Sequence, residues 1–264
     1  MTETTVISQT DARGVTRIVL NRADKRNAFN DQIIVELTEA IEAASNNPQC
    51  RVVIIAGEGK HFSAGADLVY MKQTAALSEQ ENVDDAHRLA RLMQVLDLID
   101  KPTICRVQGA AYGGALGLIT ACDIAVGTDT SRYCLSEARL GITPAAIGPY
   151  VVRAMGPRQA RRYFLSSEEI PADKALEIGL IHEQVPEDQL DARIEELTVT
   201  LLRNGPVAMA AGKALVAEVT GGHISADTID YTARLIARLR TGDEGQEGLG
   251  AFFSKRTPGW VPES

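Results

Sequence analysis

The sequence predicts an α/β core followed by a helical C-terminal region, and three observations carry the prediction. Up to about residue 186, short apolar runs rich in Val and Ile alternate with longer segments of helical period. Beyond that point the strand-like runs stop. Helical segments follow near 186–203, 206–220, 225–240 and 243–253, punctuated by Gly205-Pro206, Gly221-Gly222 and Gly242-Asp243. The 264 residues are 45% hydrophobic and 23% charged, an ordinary soluble composition with enough apolar material for a sizeable core. No low-complexity linker or short-period repeat interrupts the chain, so the expected division is a core over 1–190 and a helical part over 191–264.

Element by element, "TTVISQT" (4–10) and "VTRIVLN" (15–21) read as strands, and "DARG" between them is a hairpin signal. The polar connection "NRADKRNAFN" leads to a helix capped by Asn30 or Asp31, with Ile33, Ile34, Leu37, Ala40, Ile41 and Ala44 on its apolar side. "CRVVIIAGEG" (50–59) is a continuous apolar run, the mark of a strand covered on both faces. The stretch "KHFSAGADLVYM" (60–71) reads as a loop. A helix over about 78–100 follows, its core face made by Leu89, Leu92, Met93, Leu96 and Ile99. "PTICRVQG" (102–109) is the next strand, "GGALGLITAC" (113–122) a tightly packed helix, and "CDIAVGT" and "RYCL" two further strands.

Charge and cysteine usage exclude several function classes. A net charge of −8 opposes sequence-independent binding to nucleic acid. The four cysteines form no C-x-x-C pair and, with four scattered histidines, no zinc spacing, so no metal is expected. They read as reduced, buried thiols of a cytoplasmic protein. The start "MTETTVISQT" resembles neither a secretory nor a transit peptide, and the longest apolar run, within 110–122, is too short to span a bilayer. There is no P-loop, and the glycines at 109, 113 and 114 do not make G-x-G-x-x-G. "HFSAG" is half a nucleophile elbow around Ser63, with His61 where glycine is required. "RQARR" (158–162) reads as a solvated helix face, with an anion site as the alternative.

Two strand-to-loop junctions share a chemical opportunity. "HFSAGADL" and "QGAAYGGALG" each place small residues where a strand ends, which lets a ligand approach backbone N–H groups. Two such N–H groups aimed at one oxygen make an oxyanion hole. The competing reading is close packing, with glycine as a spacer.

"HFSAGADL", "QGAAYGGALGL", "ACDIAVGTDTSRYCLSEARLGI" and "EGLGAFFSKRTPGW" together resemble the enoyl-CoA hydratase/isomerase (crotonase) family over nearly the whole chain. The resemblance implies a crotonase-like spiral of β-β-α turns with C-terminal helices that trimerise, as a homotrimer or a dimer of trimers. It implies an acyl-CoA thioester as substrate, with CoA part of that substrate and no separate cofactor. The backbone N–H groups of Ala66 and Gly114 would be the oxyanion-hole donors. Ala64, Ala66, Asp67, Leu68 and Val69 would lie along the CoA. "ADKRNAF" matches the family's early CoA-side segment and contributes Ala28, with Lys25 or Arg26 toward the phosphates. Phe252 and Lys255 are further candidates for that role.

Hydratases of the family use two glutamates; here "CLSE" supplies Glu137, while the other position is Gly117. Closer likeness, in "AAYGGALGL", "CLSEARLGITPAAIGPYVVRAMG" and "ARRYFL", is to the glutaconyl-CoA hydratase branch. Gly117 is then expected to leave room for a β-branched, carboxylated acyl group and to omit a charge that would repel it. The expected activity is a lyase hydrating a branched 2-enoyl-CoA. The alternatives are a Δ3,Δ2-enoyl-CoA isomerase, a thioesterase, and an RNA-binding or scaffold protein.

Overall fold

The chain is described from a computed structural model over residues 4–262. Its first two strands, β1 (Val6–Thr10) and β2 (Val15–Leu20), pair antiparallel as the hairpin signal requires. Helix α1 (Asp31–Asn46) begins at Asn30, whose side chain accepts the Ile33 N–H at 3.0 Å; of the two expected caps, Asn30 is the one used. Strand β3 (Val52–Gly57) then lies parallel to β2, β4 (Thr103–Val107) to β3, β6 (Ile124–Thr128) to β4 and β9 (Glu183–Val185) to β6. The sheet order is β1-β2-β3-β4-β6-β9.

Alternate residues of β3 point to two different cores, because side chains on a strand alternate faces. Val53 and Ile55 join the larger cluster with α1, α3 (Glu79–Leu98), α4 (Ala115–Ala121) and α5 (Gly148–Ser166). Val52 and Ile54 join Ile104 and Val126 against Leu190, Ile194 and Leu202 of α7 (Leu190–Leu202). Both faces are covered, which is why β3 is buried at every position. By packing, α7 belongs to the sheet, although it lies beyond the division expected at residue 190. Helix α6 (Ala172–Glu177) lies between α5 and β9 in the chain, and α8 (Pro206–Val219), α9 (Ala226–Thr241) and α10 (Asp243–Phe253) follow α7. Arg51 anchors the C-terminal turn to the core, its guanidinium donating to the carbonyls of Trp260 at 2.7 Å and Asn204 at 3.1 Å.

Two elements depart from the sequence reading. The stretch expected as loop over 60–71 runs into a short helix α2 (Leu68–Thr74), with the Asp67 side chain accepting the N–H groups of Val69 and Tyr70. Residues Ala110–Tyr112, expected as part of a turn, form strand β5, which joins β7 (Arg132–Cys134) and β8 (Ile170–Pro171) in a second, three-stranded sheet. The arginines of "RQARR" lie exposed on α5 while Ala160 and Tyr163 face the core, as a solvated face requires. All four cysteines are free and buried. Among the described residues no helix is long and apolar enough to cross a membrane, and no cluster of His, Cys, Asp and Glu could hold a metal ion.

Helix α4 is buried at every position, and Gly117 shows why it packs so closely. A Cβ at residue 117 would lie 2.4 Å from Ile147 Cγ2 and 2.7 Å from Met93 Sδ. The room expected there for a branched acyl group is therefore already filled by two side chains. This corrects the view of Gly117 as a site residue: it is a packing glycine between α3 and the start of α5. Gly117→Ala is expected to destabilise the protein by about 1–3 kcal/mol through overpacking, seen as a lower midpoint in urea at unchanged m-value. An unchanged midpoint would show that the site tolerates a methyl group.

Candidate active site

The two glycine turns meet. Ser63 N–H donates to Ala110 O at 3.1 Å, and Tyr112 N–H donates to Ser63 O at 3.0 Å, which stitches the loop after β3 to β5. One residue pair further on, the backbones come within contact: a Cβ at Gly65 would lie 2.9 Å from Tyr112 O, and one at Gly113 would lie 3.9 Å from Gly65 Cα. Both glycines adopt positive φ, +87° and +55°, a conformation that side chains other than glycine rarely take. Each immediately precedes one of the expected donors, Ala66 and Gly114.

The direction of those donors follows from peptide geometry. In a trans peptide the C=O and N–H point opposite ways, so holding one fixes the other. Gly65 O accepts the Phe29 N–H at 2.7 Å, which orients the Ala66 N–H; Gly113 O accepts the Leu116 N–H at 3.0 Å, which orients the Gly114 N–H. Neither donor N–H has an acceptor among the described residues. Phe29 braces this corner, its ring within 3.2–3.3 Å of where a Gly114 Cβ would sit.

Glu137 faces the same corner. It begins a 3₁₀ turn (Glu137–Leu140) just after β7, and the Gly113 N–H donates to Cys134 O at 2.9 Å, holding the turn beside the glycines. Its Oε1 would be 3.3 Å from a Cβ at Gly113, so the absence of a side chain there is what admits the carboxyl group. Its Oε2 is buried with no hydrogen-bond partner among the described residues. Burial pushes the Glu137 carboxyl above the usual carboxylate range, against a smaller opposing contribution from its own backbone N–H. A half-buried carboxyl free to gain and lose a proton is thus placed next to two free amides.

The CoA-side candidates also come together. Ala64 N–H donates to Arg26 O at 2.9 Å, and Asp67 N–H donates to Phe29 O at 2.8 Å, so the segment of Lys25, Arg26 and Ala28 runs beside Ala64–Val69. Lys25 and Arg26 are exposed, Ala28 is buried, and Leu68 and Val69 project outward with Leu68 82% exposed. Asn27 holds this segment in shape: it is buried, accepts the Arg22 N–H at 2.9 Å, and donates to the carbonyls of Glu58 and His61, both at 2.9 Å. Phe252 and Lys255 are not brought to the corner by any recorded contact within the described chain. Phe252 is 78% exposed at the end of α10, with its ring edge-on to Phe253. Ser63 is no nucleophile, being buried with its hydroxyl donating to Asn27 O at 2.8 Å and accepting the Gly65 N–H at 3.2 Å. The sequence reading missed Asn27, Phe29, Gly65 and Gly113 as site-shaping residues; the signal available was a glycine immediately before each donor.

The raised carboxyl of Glu137 has a consequence for stability. A group that binds its proton more tightly in the folded chain loses stability as pH rises from below the unfolded value through the folded one. Glu137→Gln cannot ionise. It is expected to be more stable than the unsubstituted protein at neutral pH, with the difference narrowing as pH falls toward about 4, where unfolded carboxyl groups protonate. Urea midpoints across this range check it, and a difference independent of pH would contradict burial as the cause.

The profile of the enoyl-CoA hydratase/isomerase family matches residues 10–263. The 2,3-dehydroadipyl-CoA hydratase of Escherichia coli (strain K12) is 31% identical over 91% of this chain and 92% of its own. The crystal structure of an enoyl-CoA hydratase from Shewanella pealeana ATCC 700345 superposes with a TM-score of 0.94 at 47% identity, covering 97% of this chain and 96% of that one. That of Pseudomonas aeruginosa AtuE gives 0.93 at 33% identity, covering 98% and 100%. With its spiral of strands and helices and its paired glycine turns, the chain belongs to the enoyl-CoA hydratase/isomerase (crotonase) family.

Proposed function

We propose that this enzyme hydrates a 2-enoyl-CoA thioester, with the Ala66 and Gly114 N–H groups as the oxyanion hole and Glu137 as the one acid–base group. The observation that carries the reading is the convergence of two acceptor-free amides and one buried, partner-free carboxylate oxygen on a single glycine-lined corner. The thioester oxygen accepts from both amides and gains negative charge as water adds to C3. Ionised Glu137 takes one proton from that water as the oxygen bonds to C3. The resulting carboxylic acid then gives the proton to C2 as the enolate collapses, and water has added across the double bond. A carboxyl raised toward neutrality by burial suits both halves, since a group that must accept and then release a proton works best near the working pH.

The acyl group proposed is a branched, carboxylated, glutaconyl-type chain. The likeness of "CLSEARLGITPAAIGPYVVRAMG" to that branch supports it, as does the relative whose own name specifies a dehydroadipyl, hence carboxylated, substrate. Gly117 no longer supplies a reason for it. Lys25 or Arg26 is proposed to meet the CoA phosphates, with Phe252 and Lys255 assisting. The apolar side chains exposed on α8 and α9, among them Val216, Ile229 and Ile236, are proposed to be covered by other copies in a homotrimer or a dimer of trimers. A Δ3,Δ2-enoyl-CoA isomerase is the second reading, favoured by the single glutamate: Glu137 would then carry a proton between C2 and C4 without water.

Incubation with 3-methylglutaconyl-CoA, crotonyl-CoA and a 3-enoyl-CoA, with products identified by mass, separates these readings. Hydration adds 18 mass units, about the mass of water, and isomerisation adds none. Glu137→Gln is expected to keep CoA affinity and lose about 10²–10⁴-fold in kcat. Near-normal turnover in the folded variant would remove Glu137 from the mechanism. Gly114 has φ −53°, close to the angle proline imposes, so Gly114→Pro deletes the donor at a compatible backbone angle. Its kcat is expected to fall about 10²–10³-fold. Circular dichroism and CoA affinity establish that the variant is intact, and unchanged kcat in an intact variant would count against the hole.

A further inference from the structure

We propose that Arg22 is a positioning residue for the oxyanion hole, acting on the Ala66 N–H through two peptide units in series; the proposal rests on the oxyanion-hole reading above. Arg22 Nη1 donates to Ala28 O at 3.0 Å. That carbonyl shares its peptide with the Phe29 N–H, which donates to Gly65 O at 2.7 Å. Gly65 O in turn shares its peptide with the Ala66 N–H. The order is therefore guanidinium, peptide 28–29, peptide 65–66, reacting oxygen. Each link fixes the direction of the next, because C=O and N–H are opposed in each planar unit.

The relay is electrical as well as geometric. Hydrogen bonds in a chain polarise one another, and a cationic donor at the far end draws electron density along it, leaving the last N–H a better donor. The other half of the guanidinium is held as firmly: Arg22 Nη2 donates to Asp67 Oδ2 at 3.0 Å, in a pair whose side chains are only 18% and 13% exposed. Asp67 follows Ala66 directly, caps α2 through its other oxygen at 2.8 Å from the Val69 N–H, and donates its own N–H to Phe29 O at 2.8 Å. Ala66 is thus bracketed on both sides by groups that Arg22 holds. The backbone of Arg22 is fixed too, accepting the Asn27 N–H at 2.9 Å and donating to Asn27 Oδ1 at 2.9 Å. A planar fork spans a carbonyl and a carboxylate at once; the ammonium of lysine is a single point of charge and cannot reproduce that geometry. The Gly114 donor has no such relay, since its partner carbonyl is held by the helix that follows.

The test uses Arg22→Lys and the double variant Arg22→Met/Asp67→Asn, which removes the cation without stranding a buried carboxylate. Three quantities are measured on each: the urea midpoint, kcat and KM for crotonyl-CoA, and the infrared thioester band of bound butyryl-CoA labelled with ¹³C at the carbonyl. In the unsubstituted protein the band is expected to move to lower frequency on binding. In the variants that shift is expected to shrink and kcat to fall on the order of tenfold, with KM within about twofold, as for a small misplacement of a catalytic group. The lysine variant should fall between. A kcat loss with the band shift intact would mean a merely structural role and would overturn the proposal. So would full shift and full kcat in either folded variant, and should the double variant not fold, the lysine variant decides alone. Absence of any shift in the unsubstituted protein would instead overturn the oxyanion hole itself.

Discussion

The site depends on one close approach, that of the Gly65 backbone to the Tyr112–Gly113 peptide. A methyl group on Gly65 would sit 2.9 Å from the Tyr112 oxygen, so the two turns come together only because residue 65 has no side chain. In the proposed mechanism this nearness lets amides from two different strand ends address a single oxygen. It explains the pattern of small residues on both turns, and it explains why the loop after β3 is sewn to β5 by consecutive backbone bonds. An oxyanion hole works by being in place before charge develops, and rigid peptide planes supply that readiness without any reorganisation.

Against this rigid corner stands a group that the fold leaves unsatisfied. Most buried polar atoms find partners, yet the Glu137 carboxylate oxygen Oε2 has none among the described residues. Its burial raises the carboxyl toward the protonated form. Ser63, by contrast, sits a few residues from the same corner with its hydroxyl fully engaged, and Asn27 uses both its oxygen and its nitrogen. Arg51 Nε, Ser167 Oγ and Gln184 Oε1 are also buried without a partner among the described residues, so it is the place of Glu137 beside the glycine turns, together with its open oxygen, that supports the acid–base role proposed for it.

What could be read from the sequence was whatever has a local signature. The strands of the large sheet announced themselves as Val- and Ile-rich runs, and the C-terminal helices by their glycine and proline punctuation. The two glycine turns were visible as clusters of small residues and Glu137 by its place in a familiar block, and the fold brings these three together. Helix α2 was not visible because none of its residues is buried, so it carries no apolar period to detect. Strand β5 was hidden by its length of three residues inside a glycine-rich stretch. Arg22 was illegible for another reason: its meaning lies in meeting Asp67, 45 positions away, and a carbonyl whose direction only the fold determines. Gly117 was misread because a sequence shows that a side chain is missing but not what has moved into its place.

The packing at Gly117 bears on how a chain of this kind could change over time. Met93 Sδ, from α3, and Ile147 Cγ2, from the residue that caps α5, close over residue 117. A side chain there would have to shift both, so a larger residue at 117 costs packing at positions 93 and 147. Positions 93, 117 and 147 share one packing space, so a change of size at one is felt at the other two. A larger residue at 117 is therefore expected to be tolerated best alongside smaller residues at 93 and 147.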